Sequence, residues 1–215
     1  MTNTLRLGLP PLTPRIAALP IDERGYPVPF FVAWVDGKPD HRIADPAKKA
    51  LALRRHLCWV CGQLLGVHLA FAIGPMCTVN RLTSEPPAHR ECAEWSVCAC
   101  PFLSRPKAHR RETGLPDDVQ DPGGIMLDRN PGVTAIWMTR RFEPFKADGG
   151  VLFRLDAPSE VSWYTEGRPA TREEVLEALY RGLPALEEMA VAQGVEARAQ
   201  LNKAVAAAQR WVPVT

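Results

Sequence analysis

The 215-residue chain has no long apolar run. Nothing in it approaches the roughly eighteen consecutive apolar residues that span a bilayer. Pro10, Pro11 and Pro14 break the N-terminal segment where an export signal would carry its apolar centre. The chain is therefore expected to be soluble and cytoplasmic, with no membrane partner. An excess of one charge is missing as well. Twenty-six Lys and Arg against twenty-four Asp and Glu leave a net charge of +2 and a pI near 8.3, short of the basic footprint of a dedicated nucleic-acid binder. Catalytic fingerprints are also lacking: there is no G-x-S-x-G elbow, no phosphate-cradling glycine loop and no dinucleotide-binding glycine pattern. No familiar enzyme class is nominated.

Proline, by contrast, is abundant. Twenty-one prolines are roughly twice the usual frequency, which predicts short elements joined by stiff turns. Met1 to Gly25 reads as an extended arm. Pro29 to Val35 is a strand, Asp36-Gly37 a hairpin turn, and His41 to Ile43 the return strand. Asp45-Pro46 starts a helix over Ala47 to Leu57, since the carboxylate caps free amides and the proline suits the first turn. Val67 to Ile73 is a strand, Gly74-Pro75 a turn, and Glu91 to Ala99 a helix stopped by Pro101.

Ser104 to Gly124 mixes prolines with Arg105, Lys107, Arg110, Arg111 and then Asp117, Asp118 and Asp121, and reads as a linker. The domain division expected is 1–103, a linker at 104–124, and 125–215. Beyond the linker, Val133 to Met138, Val151 to Leu155 and Val161 to Tyr164 predict a small antiparallel sheet. The capping-box sequence Thr171-Arg-Glu-Glu174 opens a helix that Gly182 should stop, and a last helix covers Val195 to Arg210.

Six cysteines without an export signal point to reduced thiols and metal ligands in preference to disulfides. Cys58-Trp-Val-Cys61-Gly62 is paired with His89-Arg-Glu-Cys92 across 27 residues. Tetrahedral zinc takes two such pairs. A C-x-x-C turn aims both sulfurs at one ion, the glycine after it relieves the turn, and a helix start directs His89 and Cys92 the same way. The expected cofactor is one Zn2+ held by Cys58, Cys61, His89 and Cys92. Four protein ligands leave no position for water, so the site is read as structural. Cys77, Cys98 and Cys100 keep the count open. Any of them could replace His89, Cys98-Ala-Cys100 could serve a second metal or a cluster, and small buried thiols packing beside the zinc helix would look the same in sequence.

These residues resemble a treble-clef zinc finger, in which a C-x-x-C knuckle is followed by a hairpin and a helix whose first turn carries the second ligand pair. The resemblance covers Cys58 to about Cys100 and implies a zinc-centred fold without implying one activity. Val67 to Ile73 lacks the extra histidines and asparagine of a zinc-finger nuclease of the HNH type. The chain as a whole resembles bacterial and phage-type reading frames, a likeness that carries no function.

Other polar groups are weaker candidates. His41 near Asp36 and Asp40 could form an acid–base cluster, although polar residues beside a turn are usually solvated. His68 and His109 have no better claim. Arg105 to Arg111, with Arg140, Arg141 and Lys146 beside Phe142 and Phe145, could grip a phosphate backbone, or could form a solvated face. Trp163 and Tyr164 could mark an interface or pack the sheet on the C-terminal helices, and packing is expected. The fold class expected is α+β: a treble-clef-like zinc unit with an N-terminal β-hairpin, a small antiparallel sheet and C-terminal helices. The function expected is a zinc-stabilised binding protein for nucleic acid or another protein. The alternative is an enzyme acting on nucleic acid or a nucleotide around a structural zinc.

Overall fold

The computed structural model describes residues 3–105, 108–109, 113–115, 130–147 and 150–214. Most of the linker expected at 104–124, including Lys107, Arg110 and Arg111, lies outside the described residues.

The N-terminal arm is less extended than its prolines suggest. Pro14–Ala17 forms one helical turn (α1), with Pro14 in the first turn and the Thr13 hydroxyl accepting the Ile16 amide at 3.4 Å. Ile16 is fully buried and pins the arm to the core. Strands Val32–Val35 (β1) and Lys38–Ala44 (β2) pair antiparallel. Asp36 at φ 49° and Gly37 at φ 76° make the left-handed pair that an Asp-Gly hairpin turn needs. Pro46–Arg55 (α2) starts as predicted, with the Asp45 carboxylate accepting the Ala47 and Lys48 amides. It ends at His56, whose left-handed backbone turns the chain toward Cys58.

Leu69–Ile73 (β3) is followed by a helix, Pro75–Asn80 (α3), where the sequence suggested only a turn. Gly74-Pro75 is the start of that helix: a proline has no amide to leave unsatisfied at the first position, and its φ is already helical. Leu82–Thr83 (β4), Arg90–Ala99 (α4) and Pro101–Ser104 (α5) follow, so Pro101 ends one helix and opens another.

Five strands come next: Thr134–Thr139 (β5), Phe142–Ala147 (β6), Gly150–Leu155 (β7), Glu160–Thr165 (β8) and Arg168–Pro169 (β9). They join two antiparallel sheets, ordered β3-β5-β8-β9 and β4-β7-β6, in place of the one small sheet expected. β6 escapes sequence reading because Pro144 interrupts it; as the outer strand of its sheet it tolerates the missing donor. Leu69 to Ile73 pair in register with Thr139 to Ala135, and Leu82 and Thr83 with Arg154 and Phe153, so strands from both sides of 104–124 share both sheets. All six residues of β5 are buried, and Trp137 lies opposite Phe71 at the centre of the core.

Two long helices close the chain, Arg172–Gln193 (α6) and Val195–Gln209 (α7). The capping box at Thr171 and Glu174 is present with both reciprocal bonds. Gly182 does not stop α6, contrary to its reading as a breaker. The helix runs through it and through Pro184, and the glycine permits close packing: a Cβ there would lie 2.8 Å from Met76 of α3. Trp163 is buried on β8, and its indole Nε1–H donates to the Trp211 carbonyl at 2.8 Å, tying the sheet to the end of α7. The molecule is α+β, with antiparallel sheets, a hairpin near the N-terminus and C-terminal helices. Among the described residues no helix is long and apolar enough to cross a membrane.

Candidate metal centre

The Cys58–Cys61 pair sits in a tight turn closed by a bridge between Leu57 and Leu64. The Cys58 amide donates to the Gln63 carbonyl at 2.7 Å and the Gly62 amide to the Cys58 carbonyl at 2.8 Å. This folding back aims the Cys61 amide at Cys58 Sγ, 3.4 Å away. Gly62 has φ 72°, and a Cβ on it would fall 2.8 Å from Phe30 Cδ2, so left-handed backbone and close approach both select glycine.

The second pair is carried to the first by backbone pairing. Ala70 and Ala88 exchange two hydrogen bonds, at 3.0 and 2.8 Å, and the Trp59 amide donates to the Pro87 carbonyl at 3.0 Å. His89 then caps α4, and Cys92 lies in its first turn. The His89 amide donates to Cys58 Sγ at 3.4 Å.

The four side chains converge. Sγ of Cys58, Cys61 and Cys92 and a ring nitrogen of His89 all lie within 4.8 Å of one another, close enough to hold a metal ion. His89 Nδ1 is 3.4 Å from Cys61 Sγ and 3.9 Å from Cys92 Sγ, while Nε2 lies 3.0 Å from the Leu64 carbonyl. A carbonyl only accepts, so Nε2 carries the proton and Nδ1 offers its lone pair to the centre. Cys58 and Cys92 are buried, Cys61 and His89 half-buried.

Three thiols so crowded do not ionise independently. Hydrogen bonds from Cys61, then Cys92, with the amides of Cys61 and His89, hold the Cys58 thiol down to about 3. The Cys92 thiol is pushed up, first by its hydrogen bond to Cys58 and then by Cys61 and burial. A cation at the centre would favour full deprotonation of the set.

The other cysteines lie elsewhere. Cys77 is on α3 outside the cluster, and burial pushes its thiol up to about 11. Burial likewise raises Cys98 and Cys100, and neither joins a metal-capable group among the described residues.

His41 has two carboxylates acting on it by charge, Asp22 and the expected Asp40. Its Nε2 lies 3.2 Å from Oδ2 of the buried Asp22, without the alignment of a hydrogen bond, while Asp40 is bound by Arg42 at 2.8 Å. Sequence reading missed Asp22; the available signal was Asp22 followed by Gly25, a carboxylate collecting the amides of its own turn. His68 and His109 are exposed.

Several cations that a phosphate backbone could use are already engaged. Lys48 Nζ donates to the Val32 carbonyl at 2.7 Å, Lys49 Nζ lies 5.4 Å from the Phe153 ring, and Arg141 pairs with Asp156 at 3.1 Å. Phe142 packs edge-on between Phe71 and Phe153, and the Arg154 guanidinium covers Phe145 at 5.2 Å. Arg54, Arg55, Arg105 and Arg140 stay exposed.

No protein-family model, curated protein or solved structure matches the chain.

Proposed function

We propose that Cys58, Cys61, His89 and Cys92 hold one structural zinc ion in a treble-clef-like unit, and that the protein is a zinc-stabilised binding protein for another protein or for nucleic acid. The observation that carries this reading is the convergence of three sulfurs and one imidazole nitrogen, all supplied by the chain. Zinc favours that soft donor set, and a tetrahedral ion with bonds of about 2.3 Å to sulfur and about 2.0 Å to nitrogen spaces a sulfur and a nitrogen ligand by roughly 3.5 Å. The 3.4 and 3.9 Å separations around His89 Nδ1 bracket that value. With four protein ligands no coordination position remains for a reacting water, which argues for stabilisation over catalysis.

The knuckle precedes the helix-borne second pair as in a treble clef, with the single Ala70–Ala88 bridge standing where that unit has a hairpin. The internal engagement of Lys48, Lys49 and Arg141 leaves scattered cations for a phosphate backbone, so nucleic-acid binding is weak and a protein partner is favoured. The test has two parts. Metal analysis should return one zinc per chain, and a shift assay with duplex and single-stranded nucleic acid at about 50 and 200 mM salt should show binding that fades at the higher concentration. Folded protein free of zinc would contradict the first part, and tight salt-resistant binding to one sequence the second.

A further inference from the structure

A second feature lies apart from the thiol cluster and shares no residue with it. Between α3, β5 and the C-terminal part of α7 is an open cleft of about 380 Å³, within the range of small-molecule sites. Its floor is Val79 with Ala204, Ala207 and Ala208, the small residues of α7 leaving the space, and Trp211 borders it. Arg81, Lys203 and Asn80 supply the polar groups.

Arg81 is held in place. It has left-handed backbone at φ 57°, a conformation that costs a non-glycine residue about 1 kcal/mol. Two hydrogen bonds fix it: Asn80 Oδ1 accepts the Leu82 amide at 2.9 Å, and the Arg81 carbonyl accepts the Leu155 amide at 2.8 Å. The guanidinium lies 5.9 Å from the centre of the Trp137 ring. Elsewhere Arg15, Arg90 and Arg168 sit on carboxylates, but among the described residues neither Arg81 nor Lys203 forms an ion pair. Helix ends also attract cations, yet α3 has only 6 residues, and Lys203 lies six positions before Gln209, outside the last turn where that attraction acts.

We propose that this cleft binds a small organic anion, a phosphate or carboxylate carried on a planar apolar body. Arg81 takes the anion through its planar fork, Lys203 adds a second charge, and the body lies on Trp211 and the alanine face of α7.

The test titrates the full-length, zinc-loaded protein by calorimetry with phenyl phosphate, benzoate and inorganic phosphate. One-to-one binding of phenyl phosphate or benzoate, tighter than inorganic phosphate, is expected, and the tighter of the two identifies the anion. Arg81→Asn, which tolerates left-handed backbone, should weaken it by about tenfold or more, and Ala207→Phe should abolish it by filling the floor. If Arg81→Asn does not fold, Lys203→Gln on the exposed face of α7 replaces it, with a smaller loss expected. Absence of saturable binding to folded protein would leave both cations as solvated surface charges and overturn the proposal. So would inorganic phosphate binding as tightly as phenyl phosphate, or affinity unchanged in the charge variants.

Discussion

The amide of His89 donates to Cys58 Sγ at 3.4 Å across 31 positions of sequence. One bond thus joins the residue that opens the first pair to the residue that opens the second. Cys58 Sγ also accepts the Cys61 amide. Two backbone donors at one sulfur favour its thiolate, and the sulfur becomes the point where knuckle and helix meet.

The turn glycine should be irreplaceable. Gly62→Ala adds a Cβ in left-handed backbone and against Phe30, so a loss of about 2–4 kcal/mol is expected. Urea unfolding checks it; a change below about 1 kcal/mol would show that the knuckle relaxes freely.

The fourth ligand is His89 in this account. His89→Ala should lower zinc affinity steeply, His89→Cys should retain the metal with four sulfurs, and Cys77→Ser should leave metal content unchanged. Competition with a chromogenic chelator measures all three. Loss of zinc in the Cys77 variant, with zinc kept in His89→Ala, would exchange the two assignments.

Acid should weaken the N-terminal hairpin through His41. Burial, then the nearby Arg24, holds its pKa below the ordinary 6.5, outweighing the pull of Asp22. The unfolded chain therefore takes the proton first, and stability complete above about 6.5 is lost as pH falls through the lower folded value. His41→Gln should flatten this part of the stability curve, read as urea midpoints between about pH 7 and 5. An equal slope in both proteins would remove His41 from the account.

Nucleic-acid affinity should depend on phosphates alone. Arg54→Ala with Arg55→Ala should reduce the salt slope of any binding by up to about two, without changing sequence preference. A slope unaffected by the pair would move the contacts elsewhere.

Local signals were legible in the sequence. Asp36-Gly37, Asp45-Pro46 and Thr171 with Glu174 each make their contacts within four residues, so composition alone locates the turn, the helix start and the capping box. The two ligand pairs were visible for the same reason. What brings them together was not, because the Ala70–Ala88 and Trp59–Pro87 bonds use backbone that carries no residue signature. Gly182 misled because the reason for it is Met76, a tertiary neighbour on another helix. For His41 only Asp40 was legible, because Asp22 reaches it across the fold and not along the hairpin.

Zinc at the four converging side chains should hold the fold together. Structural zinc contributes on the order of 10 kcal/mol, comparable with the entire stability of a domain. The direct measurement is elemental analysis of the purified chain beside its Cys61→Ser variant, with thermal unfolding of each before and after chelation. One zinc per chain in the parent, a large loss of stability on chelation, and a poorly folded, zinc-free variant are expected. A parent that is folded without zinc, or that melts at the same temperature with and without chelator, would contradict this expectation.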